Sequence, residues 1–148
     1  MFRTADRAYL AGVIDGEGSI GIDYHGGHRT PSIRITITNT NLNLLAEIKA
    51  VWGGNLASWR KRKAGWKACS DLIWGGRPST DKILKAVKPY LKAKKKQCQI
   101  ALEFNRTVDS TQTRGVPPEI QAYRQELRRK MLEANKRGAK QPSQEVSE

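Results

Sequence analysis

The sequence is short of cysteine and histidine and contains no long apolar run. Its two cysteines, Cys69 and Cys98, lack the CxxC spacing of structural zinc sites, and its two histidines lie far from both in sequence. A structural zinc site is therefore not expected, and two isolated thiols fit a reducing compartment. No apolar stretch approaches the ~20 residues that a membrane helix needs, and residues 1–7 contain an acid and no apolar signal core. We therefore expect an intracellular protein that is neither exported nor membrane-bound.

Acidic residues are also scarce. The chain has 14 Asp and Glu against 27 Lys and Arg, which gives a formal net charge of +13. Such an excess favours a polyanionic partner, most often nucleic acid, although charge alone leaves open a ribosomal or generally basic protein. The length of 148 residues suits one domain. We expect this domain over residues 1–137, followed by a polar, disordered tail over residues 138–148.

The alternation of polar and apolar residues predicts two β-hairpins. Residues 19–25 and 32–39 alternate on either side of the turn sequence GGHRTP, and residues 56–63 and 66–74 do so around Ala64-Gly65. Apolar residues at helical spacing lie before, between and after these hairpins. This order predicts an α+β fold, in which an antiparallel four-stranded sheet carries helices on one face and leaves the other face free.

The predicted helices follow from start and stop signals in the sequence. The first helix is expected from about Ala5 to Asp15, with Thr4 as its N-cap and Asp6 in its first turn. The four tryptophans, Trp52, Trp59, Trp66 and Trp74, are expected in the core. The second helix is expected between a Thr40 or Asn41 cap and Gly53-Gly54, and the third from a Ser79 or Thr80 cap to a break at Pro89. The fourth is expected over KAKKKQCQIALEFNRTV. The last is expected with Pro118 near its first turn and Gly138 after its end.

The stretch LAGVIDGEG, residues 10–18, places two glycines one turn apart near the end of the first predicted helix. Each glycine costs a helix interior roughly 1 kcal/mol relative to alanine. Gly12 and Gly16 share one helix face and form a flat strip, against which a helix of this chain or of a second copy can pack closely. In the alternative interpretation, Gly16 and Gly18 only end the helix.

Glu17 follows the glycine strip at the end of the same helix. An acid at this end opposes the helix dipole, so local stability does not explain Glu17, whereas a nearby cation would. If two helices pack through their strips, two copies of Glu17 come close together and repel each other unless a metal neutralises them. Hard cations such as Mg²⁺ prefer oxygen ligands, and a bound metal would polarise a phosphate and activate water.

This stretch resembles the motif of the LAGLIDADG homing endonucleases. Val13, Gly16 and Glu17 replace the Leu, the Ala and the second Asp of that motif, and Glu17 keeps the carboxylate. A second segment, KPYLKAKKKQ at residues 88–97, resembles the Pro-aromatic-Leu-Lys-x-Lys segment of the family. The resemblance spans about residues 4–108 and implies the family's order of motif helix, hairpin, helix, hairpin and helices. The residues identical to the motif are Leu10, Ala11, Gly12, Ile14, Asp15 and Gly18.

The resemblance also implies roles for individual residues. Lys94 falls where the family keeps a basic residue near the scissile phosphates. Asn39 falls near the polar residue that positions water, and Asp15 is expected to have a structural role at the helix end rather than to bind metal. Because one motif per chain is typical of the family's homodimers, the resemblance implies a homodimer joined along Gly12 and Gly16.

The resulting hypothesis is a site-specific double-strand DNA endonuclease. Glu17 and the carbonyl of Gly16 would hold Mg²⁺ or another divalent cation. Asn39 would position water, and Lys94 would stabilise the developing charge. The homodimer would hydrolyse phosphodiesters of double-stranded DNA in a long, roughly palindromic site. The alternatives are a non-cleaving binder, such as an intron RNA maturase or a DNA-binding regulator, and a generic basic RNA-binding protein.

The free face of the predicted sheet is the expected DNA-reading surface, because a two-stranded ribbon fits the major groove. In the alternative interpretation, each outward residue is exposed to solvent and contacts no DNA. The same alternative applies to the histidines of the first hairpin turn. The lysines of residues 92–96 are either a solvated helix face or a phosphate-binding patch, and the resemblance favours the patch. The residues predicted to contact DNA are Asp23, His25, Ser32, Arg34, Thr36, Thr38, Ser58, Arg60, Arg62, Lys67, Cys69, Asp71, Ile73, Lys92 and Lys96.

Overall fold

Two antiparallel hairpins, each preceded by a helix, form the centre of the fold. The computed structural model describes residues 2–27, 30–58, 68–108 and 115–136. The order of helices and strands is the one predicted from the sequence. The elements are α1 (Thr4–Glu17), β1 (Gly18–Asp23), β2 (Ser32–Asn39), α2 (Leu42–Trp52), β3 (Asn55–Ser58), β4 (Ser70–Gly75), α3 (Ser79–Val87), α4 (Lys95–Arg106) and α5 (Pro118–Ala134).

The four strands form one antiparallel sheet in the order β1-β2-β4-β3. Its helix-facing side is apolar because alternate residues of each strand point the same way. Ile35 of β2, for example, lies between Ile20 of β1 and Trp74 of β4, and all three are buried. α1, α3 and α4 pack over β2, and α2 packs over β3 and β4. The predicted α+β architecture is confirmed.

The first helix begins and ends near its predicted bounds but is capped differently. Arg3, not Thr4, is the N-cap residue, and it makes no side-chain cap hydrogen bond. Thr4 is instead the first helical residue, so its prediction as N-cap is wrong. At the other end, a Cβ on Gly18 would lie 2.8 Å from the Cα of Ile14. Because only glycine permits this approach, the chain passes directly from α1 into β1, with Glu17 at the junction.

The predicted caps are present on α2 but not on α3. The side chain of Asn41 accepts a hydrogen bond from the main-chain N–H of Leu44 (3.1 Å), and Gly53 with φ +75° ends α2, so both signals are confirmed. α3 begins at Ser79 without a side-chain cap, so the predicted Ser79 or Thr80 cap is wrong. The hydroxyl of Thr80 instead donates to the main-chain oxygen four residues earlier (2.9 Å).

The second hairpin corrects one predicted strand register. Leu56 pairs with Leu72, and Ser58 pairs with Ser70. Leu56 therefore belongs to the helix-facing set of the sheet, and the predicted register of β3 is wrong by one residue. The side chain of Ser58, which that register turned outward, is not among those that the structure describes. The physical reason is that Leu56, rather than its neighbour Ala57, lies opposite the buried Leu72. The predicted hairpin turn, Trp59 and Trp66 lie outside the described residues.

The last helix protects an edge of the sheet. The amide of Asn135, just after α5, donates to the main-chain oxygen of Ile20 on edge strand β1 (2.8 Å), and Gln97 of α4 donates to the main-chain oxygen of Ala134 (3.1 Å). The first bond occupies a main-chain oxygen that an edge strand otherwise leaves open to pairing, and the second holds the end of α5 against α4. Within the described ranges, no helix is long and apolar enough to cross a membrane. Gly138 and the predicted tail lie outside these ranges.

Candidate functional site

One face of α1 is exposed and, apart from Tyr9, carries small residues. Gly12 and Gly16 lie on this face, and a Cβ on either would meet no atom within 4 Å. The opposite face buries Leu10 and Ile14 in the core. Nothing in the described part of the chain therefore requires glycine at either position, although glycine weakens a helix by roughly 1 kcal/mol relative to alanine.

Glu17 ends this face, and a side chain from the sheet holds it. The amide nitrogen of Asn39, the last residue of β2, donates a hydrogen bond to Oε2 of Glu17. The amide oxygen of Asn39 accepts from the main-chain N–H of Asn41 (2.8 Å). Because the oxygen is taken by a donor, the amide must present its NH₂ group to Glu17. The junction between β2 and α2 thus fixes the orientation of the carboxylate.

Asp15 has a different task from Glu17. Its carboxylate accepts hydrogen bonds from the main-chain N–H groups of Lys92 (2.7 Å), Ala93 (3.1 Å) and Lys94 (3.0 Å). These groups immediately precede α4, where main-chain donors lack partners within the helix. Asp15 therefore ties the start of α4 to the end of α1. This contact agrees with the structural role that the sequence resemblance implied.

The same contact places Lys94 beside the end of α1. The side-chain ammonium of Lys94 donates to the main-chain oxygen of Asp15 (3.3 Å), and its side chain is half-buried. Residues from three separate parts of the sequence thus meet at the C-terminal end of α1. They are Glu17, Asn39 and Lys94, which the sequence analysis had grouped as catalytic candidates.

The donor set here fits one half of a site for a hard cation. Glu17 is exposed, and Asn39 occupies one of its two carboxylate oxygens. The carbonyl of Gly16 lies in the last turn of α1, where carbonyl groups lack intrahelical donors. Across the ranges that the structure describes, no group of three or more His, Cys, Asp or Glu side chains converges as a metal site. A complete oxygen site at Glu17 would therefore need ligands from beyond the described residues.

The outward face of the sheet is centred on Arg34. Arg34 of β2 lies between Gly21 of β1 and Gly75 of β4, so neither neighbouring strand puts a side chain beside it. The side chain is half-buried, and its Nε is buried without a hydrogen-bond partner in the described chain. Because a buried unpaired donor is costly, water or another acceptor is needed to satisfy this Nε. Strand alternation also places the predicted residues Asp23, Ser32, Thr36, Thr38, Asp71 and Ile73 on this face.

Two acids of the outward face are engaged within the chain. Asp23 accepts from Nη2 of Arg128 on α5 (3.3 Å). Asp71 accepts from the hydroxyl of Thr38 on the neighbouring strand and is only 7% exposed. Both carboxylates therefore already have protein partners, unlike the exposed carboxylate oxygen of Glu17.

The remaining predicted contact residues are scattered around this face. His25 follows β1 and Cys69 precedes β4, both half-buried, while Lys92 and Lys96 are exposed near the start of α4. Arg60, Arg62 and Lys67 lie outside the described residues, as does His28.

Sequence reasoning missed the site role of Asn41. It identified Asn41 as a helix cap, but the same residue also supplies the main-chain N–H that orients Asn39. The spacing Asn-x-Asn between a strand and a helix was the available signal. Arg128 was also missed, because the sequence offers no sign that α5 reaches Asp23, more than a hundred residues earlier.

The chain is similar in structure to homing endonucleases that have been solved with DNA. I-CvuI in complex with its target gives a TM-score of 0.73 at 21% identity, over 93% of this chain and 86% of that chain. The archaeal intron-encoded I-Vdi141I complexed with DNA gives 0.72 at 18% identity, over 93% and 88%. The I-SmaMI LAGLIDADG homing endonuclease bound to cleaved DNA gives 0.66 at 13% identity, over 88% and 45%. No family model and no curated protein matches the chain. The fold of this chain is that of the LAGLIDADG homing endonucleases.

Proposed function

We propose that this chain is a site-specific, metal-dependent endonuclease that cleaves double-stranded DNA as a homodimer. The observation that carries the proposal is the position of Glu17, an exposed carboxylate at the end of α1, directly after two glycines at which a Cβ would meet no atom of the described residues. The similar structures described above are homing endonucleases, several in complex with DNA.

Dimerisation gives the two glycines of α1 a purpose. Two copies of α1 packed along Gly12 and Gly16 can bring their backbones closer than larger side chains would permit. Because Glu17 directly follows Gly16 at the end of α1, packing of the two helices along their glycines brings two carboxylates towards each other. Paired carboxylates repel each other unless a cation or a proton neutralises one of them. A second copy of the chain thus supplies the ligands that a single copy lacks.

Glu17 and the carbonyl of Gly16 are the ligands that would hold Mg²⁺ or another divalent cation. When bound, such a cation polarises the scissile phosphate and lowers the pKa of water. Asn39 keeps the Glu17 carboxylate aimed by one N–H, and its second amide N–H can donate to a water beside that carboxylate. The ammonium of Lys94, held at the end of α1, favours the negative charge that develops on the phosphate.

The outward face of the sheet is the surface for the duplex. Arg34 in its central strand has a guanidinium suited to the acceptor pair on a guanine edge, and the flanking glycines leave room around it. A two-fold symmetric dimer reads two related half-sites, so the target is a long, roughly palindromic sequence.

Selection from a random duplex library tests this function. Purified protein is incubated with the library and Mg²⁺, and cleaved ends are sequenced. We expect cleaved sites with two-fold related halves, and no cleavage with EDTA or with Glu17→Gln. Tight binding of duplex DNA without any cleavage would overturn the endonuclease and favour the non-cleaving binder instead.

A further inference from the structure

A basic cavity lies between α3 and α4, away from the candidate active site. Its volume is about 220 Å³. We call it the α3–α4 cavity. Its lining side chains include four cations and a single acid, namely Arg77, Lys85, Lys88, Arg106 and Asp81.

The charges of the α3–α4 cavity are only partly balanced. Lys85 pairs with Asp81 at 2.8 Å. Arg77 donates through Nη1 to the main-chain oxygens of residues 105 (3.0 Å) and 108 (2.6 Å), which fixes its guanidinium at the C-terminal end of α4. Lys88 and Arg106 make no side-chain hydrogen bond or ion pair with any described residue. Three cationic groups therefore converge on one recess without a carboxylate partner.

The walls of the cavity strengthen its attraction for an anion. Pro89 and the nearly buried Leu102 contribute apolar surface beside the cationic groups. Apolar walls focus the field of nearby charges and weaken screening by water. Repulsion among the three cations is relieved when an anion enters. The volume corresponds to several waters at ~30 Å³ each, which is enough room for one phosphate group.

The cavity and the outward face of the sheet lie on opposite sides of the core. α3 buries Ile83, Leu84 and Val87 towards the sheet. Lys85 and Lys88 are exposed on the other side of this helix. A duplex lying on the outward face around Arg34 is thus separated from the cavity by the sheet and the helix layer.

We propose that the α3–α4 cavity binds a backbone phosphate of a single-stranded nucleic acid, independently of the duplex on the sheet. A flexible strand can insert one phosphate between two helices, whereas the rigid surface of a duplex meets a recess of this size poorly. Lys88 and Arg106 supply the unpaired charge, and Arg77 supplies a fixed anchor whose other guanidinium nitrogens can donate to phosphate oxygens. The site uses none of the residues assigned to cleavage, so it stands apart from the proposed endonuclease activity.

Charge reversal in the full chain tests the proposal. The probes are fluorescein-labelled oligouridylate and oligothymidylate of 12 nucleotides, with affinity measured by anisotropy over a salt series. We expect Lys88→Glu/Arg106→Glu to weaken binding at least tenfold and to reduce the salt slope by about 1 to 2. The control, Lys49→Glu/Lys130→Glu, makes the same change of net charge at exposed sites elsewhere, and should weaken binding less than threefold.

Equal losses in the two double variants would overturn the proposal, because binding would then follow net charge alone. So would unchanged binding in Lys88→Glu/Arg106→Glu. If this variant unfolds, Lys88→Gln/Arg106→Gln replaces it and is judged by the same criteria. Tighter binding of the uridylate than of the thymidylate would identify RNA as the strand, and equal binding would assign recognition to the phosphates. Cleavage of duplex DNA by the same variants is measured separately and is expected to stay at the wild-type level.

Discussion

Replacing Gly12 with alanine should change folding and assembly in opposite directions. In the single chain, a Cβ at this exposed helical position meets nothing within 4 Å. Alanine also fixes the helix backbone at a lower entropic cost than glycine. The free energy of unfolding of the monomer should therefore rise by roughly 0.5–1 kcal/mol.

In the proposed dimer, the same methyl group stands where the partner's backbone approaches. Overpacking a close contact costs about 1–3 kcal/mol, and the substitution occurs once in each subunit. The dimer should therefore weaken by about 2–6 kcal/mol, which corresponds to roughly 30-fold or more in the dissociation constant. DNA cleavage should fall with the dimer fraction. A stabilised monomer with impaired assembly is a combination that no defect inside the chain produces.

The two effects are measured separately. Urea denaturation at a protein concentration too low for dimers to form gives the free energy of unfolding of the monomer. Sedimentation equilibrium gives the dissociation constant of the dimer. Asn43→Ala is the matched control, because it also improves helix propensity at an exposed position, on α2 instead of α1. It should leave assembly unchanged. Wild-type assembly and cleavage in Gly12→Ala would refute the reasoning, as would a wild-type protein that stays monomeric on DNA.

Three further predictions concern single side chains. Asn39→Ala removes the donor that aims Glu17, so the Mg²⁺ concentration for half-maximal cleavage should rise about tenfold or more, as metal titration of the rate would show. Asp15→Asn removes the negative charge of the carboxylate that accepts from the main-chain N–H groups of residues 92–94. Urea denaturation should therefore show a free energy of unfolding that is lower by about 1–3 kcal/mol, and an unchanged value would contradict the structural role of Asp15. Burial raises the pKa of Cys98 from 9.0 to about 11, so the folded state keeps its proton where the unfolded state loses it. The contribution of Cys98 to the free energy of unfolding is therefore complete below pH 9 and is lost as the pH rises to 11. Urea denaturation of Cys98→Ala across this pH range should show a smaller fall in the free energy of unfolding than that of the wild type.

Local signals in the sequence were sufficient for the order of the elements. The alternation over residues 32–39 predicted β2 at its observed bounds, because Ile33, Ile35 and Ile37 all face the helices. Asn41 was identified as a cap because a side-chain oxygen immediately before a helical run can accept from the main-chain N–H two or three residues later. Such features depend only on neighbours in sequence.

Features set by distant partners were missed or displaced. The register of β3 depends on Leu72 lying opposite Leu56, which no periodicity within β3 reveals. Asp71 is on the predicted face but is nearly buried, and it accepts a hydrogen bond from Thr38 of another strand. The grouping of Glu17, Asn39 and Lys94 came from the family resemblance, since their sequence separation alone gives no reason to place them together.

The most direct test of the account compares cleavage by wild-type protein and Glu17→Gln on a site recovered from the library. Both proteins are first matched for dimer content and for affinity to that duplex, so that only the carboxylate charge differs. We expect Glu17→Gln to cleave at least about 1,000-fold more slowly than wild type in Mg²⁺, a loss of ~4 kcal/mol in the barrier. Cleavage by Glu17→Gln at the wild-type rate would contradict the account.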